Sequence, residues 1–197
     1  MKIEPALNPA HTAVLPMDLQ NGIVSIYCAA DPDFIPRCGE VVKAARAAKL
    51  PVIHVRVGFR PGLPEVSPRN PLFGAVKTSE RHQQLFHGAG GDVHPALGPA
   101  ETDIVVTKHR VSAFEGTDLA MILRSQAIDT LILFGIATSG VVLSTILHAS
   151  DSDYRLIVVR DCCLDTDAEL HATLLDKLVP RRATVVTAAD LIESLGS

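Results

Sequence analysis

The chain of 197 residues is 47% hydrophobic, carries a formal net charge of −4 and contains no Trp and only two Tyr. It has enough apolar material for a substantial core in one domain over 1–197; with no basic run, a nucleic-acid partner is not expected. No apolar run approaches the ~18 residues of a membrane span, and the opening MKIEPALNPAH lacks the apolar core of a secretion signal. A soluble, cytoplasmic protein without a membrane partner is expected.

In chain order, Thr12–Met17 (TAVLPM) predicts a first strand, ended by Asp18 and followed by Leu19, Gln20 and Asn21. Pro32–Lys49 carries Val41, Val42, Ala45 and Ala48 at helical spacing. Leu50–Val57 reads as a second strand, and Gly58–Pro99 as a long Pro-, Gly- and His-rich loop. Loops of that length usually carry function or an interface. Asp103–Thr107 predicts a third strand leading into Lys108, and Thr117–Ser125 a helix with Thr117 as its N-cap. Leu131–Phe134 predicts a buried fourth strand, broken at Gly135 into the elbow Ile136–Gly140, before a helix from Val141 to Ser150. Tyr154–Arg160 is a fifth strand ending at Asp161, Cys162 and Cys163; a helix over Asp167–Leu178, a sixth strand over Ala183–Thr187 and a helix over Ala188–Leu195 close the chain. Solidly apolar strands alternating with helices predict a three-layer α/β/α fold around a six-stranded, mainly parallel sheet.

Ligands of such sheets bind at the carboxyl ends of the strands. Asp18, Lys108 and the elbow all fall at such ends. A carboxylate and an ammonium in one cleft hold each other ionised, and the carboxylate can then shuttle a proton. Each residue also has an ordinary reading, Asp18 as a turn residue and Lys108 as a solvent-facing cation. A strand stopping against a helix N-terminus concentrates N–H groups where an oxyanion can be held, yet any plain strand-to-helix connection does the same.

Three stretches, Asp18 in MDLQN, Lys108 in TKHRVSAFEGTDL, and GIATSGVVLST, together resemble the isochorismatase-like family, or cysteine hydrolases, from about Thr12 to about Asp161. The resemblance implies the strand order 3-2-1-4-5-6, with Asp18 and Lys108 as two members of the catalytic triad. It also implies a cis Ile136–Ala137 peptide at an oxyanion elbow. The third triad member, a nucleophilic cysteine in the amidase branch, falls on Val141, which can form no thioester. The isochorismatase branch also lacks that cysteine, and there the aspartate works as an acid on a vinyl ether.

The expected activity is therefore hydrolysis of a small, anionic substrate by Asp18 and Lys108 without a covalent intermediate. The competing reading is an inactive family member that binds a small molecule. Ser139 as a replacement nucleophile lacks a nearby base in the sequence, and Cys162 and Cys163 read more simply as buried thiols. Gln20, Phe114, Arg56 and Ser139 are the expected substrate-binding residues, with Arg56, Arg60 and Arg110 giving the cleft mouth a positive character. Salt bridges elsewhere on the surface explain these arginines equally well. Arg56 and Arg60 stand where some family members have metal ligands, and no short His spacing is present, so neither a metal nor another cofactor is expected. His54 reads as a hydrogen-bonded core residue. Cys28, Cys38, Cys162 and Cys163 lack metal-ligand spacing and are expected to be free thiols. Family members commonly form dimers or larger homo-oligomers, which is the expectation here.

Overall fold

A computed structural model describes residues 3–196. Its centre is a parallel sheet of β1 (Thr12–Met17), β2 (Ile53–Val57), β3 (Ile104–Lys108), β4 (Thr130–Ile136), β5 (Arg155–Leu164) and β6 (Thr184–Val186), in the order β3-β2-β1-β4-β5-β6. Every residue of the two central strands, β1 and β4, is buried. Helices cover both faces of a parallel sheet, so its middle strands are apolar on each side and read as unbroken hydrophobic runs. Strand order reverses between β1 and β4, and this switch places a crevice at their carboxyl ends.

The helices are α1 (Asn21–Tyr27), α2 (Phe34–Ala47), α3 (Pro71–Lys77), α4 (Glu80–Gln84), α5 (Gly88–Gly91), α6 (Leu119–Ser125), α7 (Leu143–Asp151), α8 (Ala168–Thr173) and α9 (Ala188–Leu195). Local signals account for several boundaries. Asn70 accepts from the N–H groups of Leu72 and Phe73 ahead of Pro71 at the start of α3. Ser79 caps α4, Asp167 caps α8, and Thr187 with Asp190 forms a reciprocal capping box on α9.

Several boundaries depart from the sequence reading. The segment after Asp18 contains α1, which was not expected, and the expected loop over Gly58–Pro99 contains three short helices. Asp118, not Thr117, is the N-cap residue of α6, although Thr117 Oγ1 does accept from the N–H of Leu119. A wide π turn over Thr138–Val142 precedes α7. β5 runs on to Leu164 because its register against β4 shifts between Leu133 and Gly135, so that Cys163 and Leu164 pair with Gly135 and Ile136. All four cysteines are free, and Cys38, Cys162 and Cys163 are buried. Among the described residues no helix is long and apolar enough to cross a membrane.

His54 is buried on β2, with Nε2 3.1 Å from Asp103 Oδ2. Asp103 also takes a two-pronged contact from Arg46. Burial holds the His54 imidazole below its ordinary pKa despite that carboxylate. The core-residue reading of His54 holds.

Candidate active site

β1 ends at Met17, and the next residue, Asp18, has φ of +56°, a left-handed conformation that aspartate tolerates better than most residues. Its N–H still donates to Val55 O at 2.8 Å, so the turn begins while the backbone remains tied to β2. Lys108 is the last residue of β3, two strands away across the end of β2. Adjacent strands lie ~4.8 Å apart, so a side chain must bridge about 10 Å to meet Asp18. Lysine is long enough, and Lys108 Nζ reaches Asp18 Oδ2 at 2.8 Å while also donating to Arg110 O at 3.1 Å.

Both residues are buried, at 6% exposure for Asp18 and 2% for Lys108. Burial pushes the Asp18 carboxyl above its ordinary value, against the pull of the Lys108 ammonium. Oδ1 of Asp18 has no hydrogen-bond partner in the structure. A buried carboxylate oxygen left unpaired is costly, and Asp18 is among the residues that line a cavity.

That cavity has a volume of about 730 Å3 and brings together Asp18, Lys108, Ile136, Ala137, Ser139 and Val141. α1 contributes Tyr27, and α3 supplies Leu72 and Phe73. Burial raises the Tyr27 phenol above its ordinary pKa, helped by the negative charges of Asp165 and Asp18. The Ile136–Ala137 peptide is cis. Val142 and Gly140 donate back to Ala137 O at 3.3 and 3.1 Å, which sets the wide turn of the elbow.

Asp165, just beyond β5, clamps this elbow. Its Oδ2 accepts from both the N–H and the hydroxyl of Ser139 at 2.7 Å. Burial opposes its ionisation, but these bonds outweigh it and hold the carboxyl below its ordinary value. Thr138 Oγ1 lies 2.8 Å from His171 Nδ1, a second tie from the same neighbouring segment. The Ser139 hydroxyl proton is thus committed to Asp165, and among the described residues no histidine hydrogen-bonds to that hydroxyl. Cys163 is buried with its thiol held far above the ordinary range by that burial, which suits the structural-thiol reading.

Three expected substrate contacts lie elsewhere. Gln20 is fully buried, its amide donating to Val57 O and Gly91 O while its oxygen accepts from Val57 N–H. With every strong bond spent on backbone, it ties the chain after β1 to β2. Phe114 stacks on His148 at 4.6 Å and borders Tyr154, outside the Asp18 cavity. Arg56 donates to Thr107 Oγ1 and lines a neighbouring pocket with Arg60 and His109. Successive strand residues project to opposite faces, so Val57 reaches the Asp18 cavity while Arg56 does not. Arg60 approaches Glu65, and Arg110 donates to the carbonyls of His109 and Glu65. None of these three arginines lines the Asp18 cavity; Arg56 and Arg60 line the neighbouring pocket, which shares Val57 and Phe86 with it.

Among the described residues, no three of His, Cys, Asp and Glu converge as a metal-binding group. The sequence reading overlooked Tyr27, Asp165 and the apolar wall from α1 and α3. Ile23, Ile26 and Tyr27 do stand at helical spacing, a signal too short to separate from a turn without the sheet beneath it.

Lys108→Met is expected to lower stability by about 3 kcal/mol at neutral pH, because it strands a buried carboxylate. The sign with pH follows from removing the one cation that lowers the Asp18 pKa. The carboxyl then takes up its proton at higher pH, so the deficit shrinks as pH falls. Melting temperatures across a pH series check this; a deficit that grows toward acid would contradict it.

The isochorismatase domain model matches residues 12–190. Over 194 residues the chain is 33% identical to the isochorismatase family protein YecD of Escherichia coli O157:H7, covering 96% of this chain and 98% of that one. Similarity to the ureidoacrylate amidohydrolase RutB of Methylobacterium radiotolerans is 33% over 190 residues, covering 86% of this chain and 74% of the relative. An isochorismatase family protein from Burkholderia thailandensis has the same fold with a TM-score of 0.84 at 34% identity, covering 98% of this chain and 99% of that one.

Proposed function

The chain belongs to the isochorismatase family, and from that premise we propose that it is a hydrolase acting on a small molecule through Asp18 and Lys108, without a covalent enzyme intermediate. The observation that carries this reading is the buried Asp18–Lys108 pair with Asp18 Oδ1 left unpartnered beside the cavity. A water between Oδ1 and a bound amide carbonyl would lose its proton to the carboxylate as its oxygen attacks carbon. Asp18 would then return that proton to the departing nitrogen as the C–N bond breaks, yielding acid and amine. Lys108 keeps the carboxylate charged until it is needed. An amide is favoured as substrate because ureidoacrylate amidohydrolases are among the relatives. Arg56, Arg60 and Arg110 do not line this cavity, so they lend no support to the anionic substrate expected from the sequence.

The second reading, a binding protein without turnover, is favoured by Val141, which is 2% exposed, lines the cavity and stands where the family resemblance puts the amidase cysteine. Val141→Cys separates the two. Intact-mass measurement during turnover of a panel of amides, ureido acids and enol ethers is expected to detect product but no covalent adduct with the wild type. The Cys variant is expected to accumulate an acyl adduct on the substrates that the wild type turns over. A wild type that binds panel members but releases no product would leave the binding reading.

A further inference from the structure

We propose that the Asp18 cavity selects an uncharged substrate whose hydrocarbon body lies against Ile26, Leu72 and Phe73; this rests on the reading of that cavity as a hydrolase site. The first support is charge. Asp18 and Lys108 pair with each other at 2.8 Å, and Arg56, Arg60 and Arg110 do not line the cavity. Beside the elbow stands the Asp165 carboxylate, on the Ser139 hydroxyl, and its field reaches Tyr27. The residues lining the cavity include no arginine and no lysine besides the paired Lys108, so its wall offers no free cation of that kind to a carboxylate on the substrate.

The second support is the wall. Ile26 and Leu72 are 52% and 59% exposed, among the few large apolar side chains left in water, and both line this one cavity. Exposed apolar groups gathered at the mouth of a pocket mark a surface that a ligand covers. Behind them the wall is stiff. Phe59 packs edge-on against Phe73 at 5.5 Å and against Phe86 at 5.8 Å, and Phe73 and Phe86 both face the cavity. Such rings hold a hydrocarbon chain by area and offer a carboxylate nothing.

The test is a straight-chain primary amide series, from acetamide to octanamide, beside equally long amides ending in a carboxylate. The full-length protein is used for both turnover and calorimetric binding. Specificity constants and affinities are expected to rise roughly fourfold per added methylene until the tail passes Leu72. The carboxylated partners are expected to fall at least tenfold below their uncharged counterparts. Leu72→Arg, at an exposed position that folding tolerates, is expected to flatten the series and improve the carboxylated members. Because binding is read without turnover, an affinity series that climbs in the absence of product removes the hydrolase reading and with it the proposed substrate, leaving an apolar binding pocket. Turnover with a flat series, or with carboxylated amides preferred, overturns the proposal and leaves the hydrolase reading intact. A flat series in a protein that loses subunits on Leu72→Arg also overturns it, assigning the two exposed side chains to a contact between copies.

Discussion

Asp18→Asn is expected to reduce kcat about a thousandfold in the folded protein, and to lower stability as well because it leaves the buried Lys108 ammonium without its counter-charge. Positioned proton transfer contributes about 10²- to 10⁴-fold in enzymes, and here one carboxylate is asked to perform both the abstraction and the return of the proton. A thousandfold corresponds to about 4 kcal/mol of activation free energy. Asparagine keeps an oxygen for Lys108 Nζ, which also retains Arg110 O, so neither bond of the ammonium need be lost. What asparagine lacks is a site for the proton. The same group sets the acid limb of the wild-type profile. Burial raises its pKa above the ordinary carboxylate value, so activity should fall with acid at a higher pH than for an exposed aspartate. Rates on the substrate identified from the panel, with circular dichroism as the folding control, decide the matter. A folded variant within threefold of the wild type would remove Asp18 from the chemistry.

Gly135→Ala is expected to cost about 4 kcal/mol or more, a large share of the ~5–15 kcal/mol that holds an ordinary domain folded. Gly135 has φ of +145°, a conformation that side chains rarely adopt. It also lies opposite Met17 in the register between β4 and β1, where an added Cβ would fall 2.0 Å from Met17 O. Both neighbours are central strands without room to move, and close-packed interiors transmit such a clash instead of absorbing it. The strain falls at the junction of Met17 with Asp18 and of Gly135 with the elbow, so any surviving protein should lose activity as well. Urea unfolding measures the effect. Gly88→Ala is the comparison, since it shares a positive φ but meets nothing within 4 Å. Equal losses in the two variants would attribute the cost to backbone strain alone.

The candidate site was legible only where chemistry coincided with a strand end. Asp18 and Lys108 stand at the carboxyl ends of β1 and β3, and the buried ion pair between them is one residue type reaching another across a known strand spacing. The partners chosen for them by nearness in the chain fared worse. Gln20 lies two residues beyond Asp18 yet spends its amide on backbone groups of Val57 and Gly91. Phe114 follows Lys108 closely in sequence and packs on His148 instead. The residues that replace them, Tyr27 and Leu72, come from helices too short for a periodicity to declare, and these helices are stabilised mainly by what they rest on.

Strand identity, strand type and the closing helix were determined by the sequence itself. Solid apolar runs have only one way to bury both faces, and a capping pair such as Thr187 with Asp190 marks a helix start locally. Local chemistry cannot say which strand ends become neighbours, which successive side chain faces the cavity, or what an elbow leans on. Those were decided by the tertiary structure. The register shift in β5 brings Asp165 to Ser139, the left-handed turn at Asp18 leaves Oδ1 unpaired, and pleating sends Val57 to the cavity and Arg56 away. Each depends on distances between segments far apart in the chain, and these distances exist only once the sheet has closed.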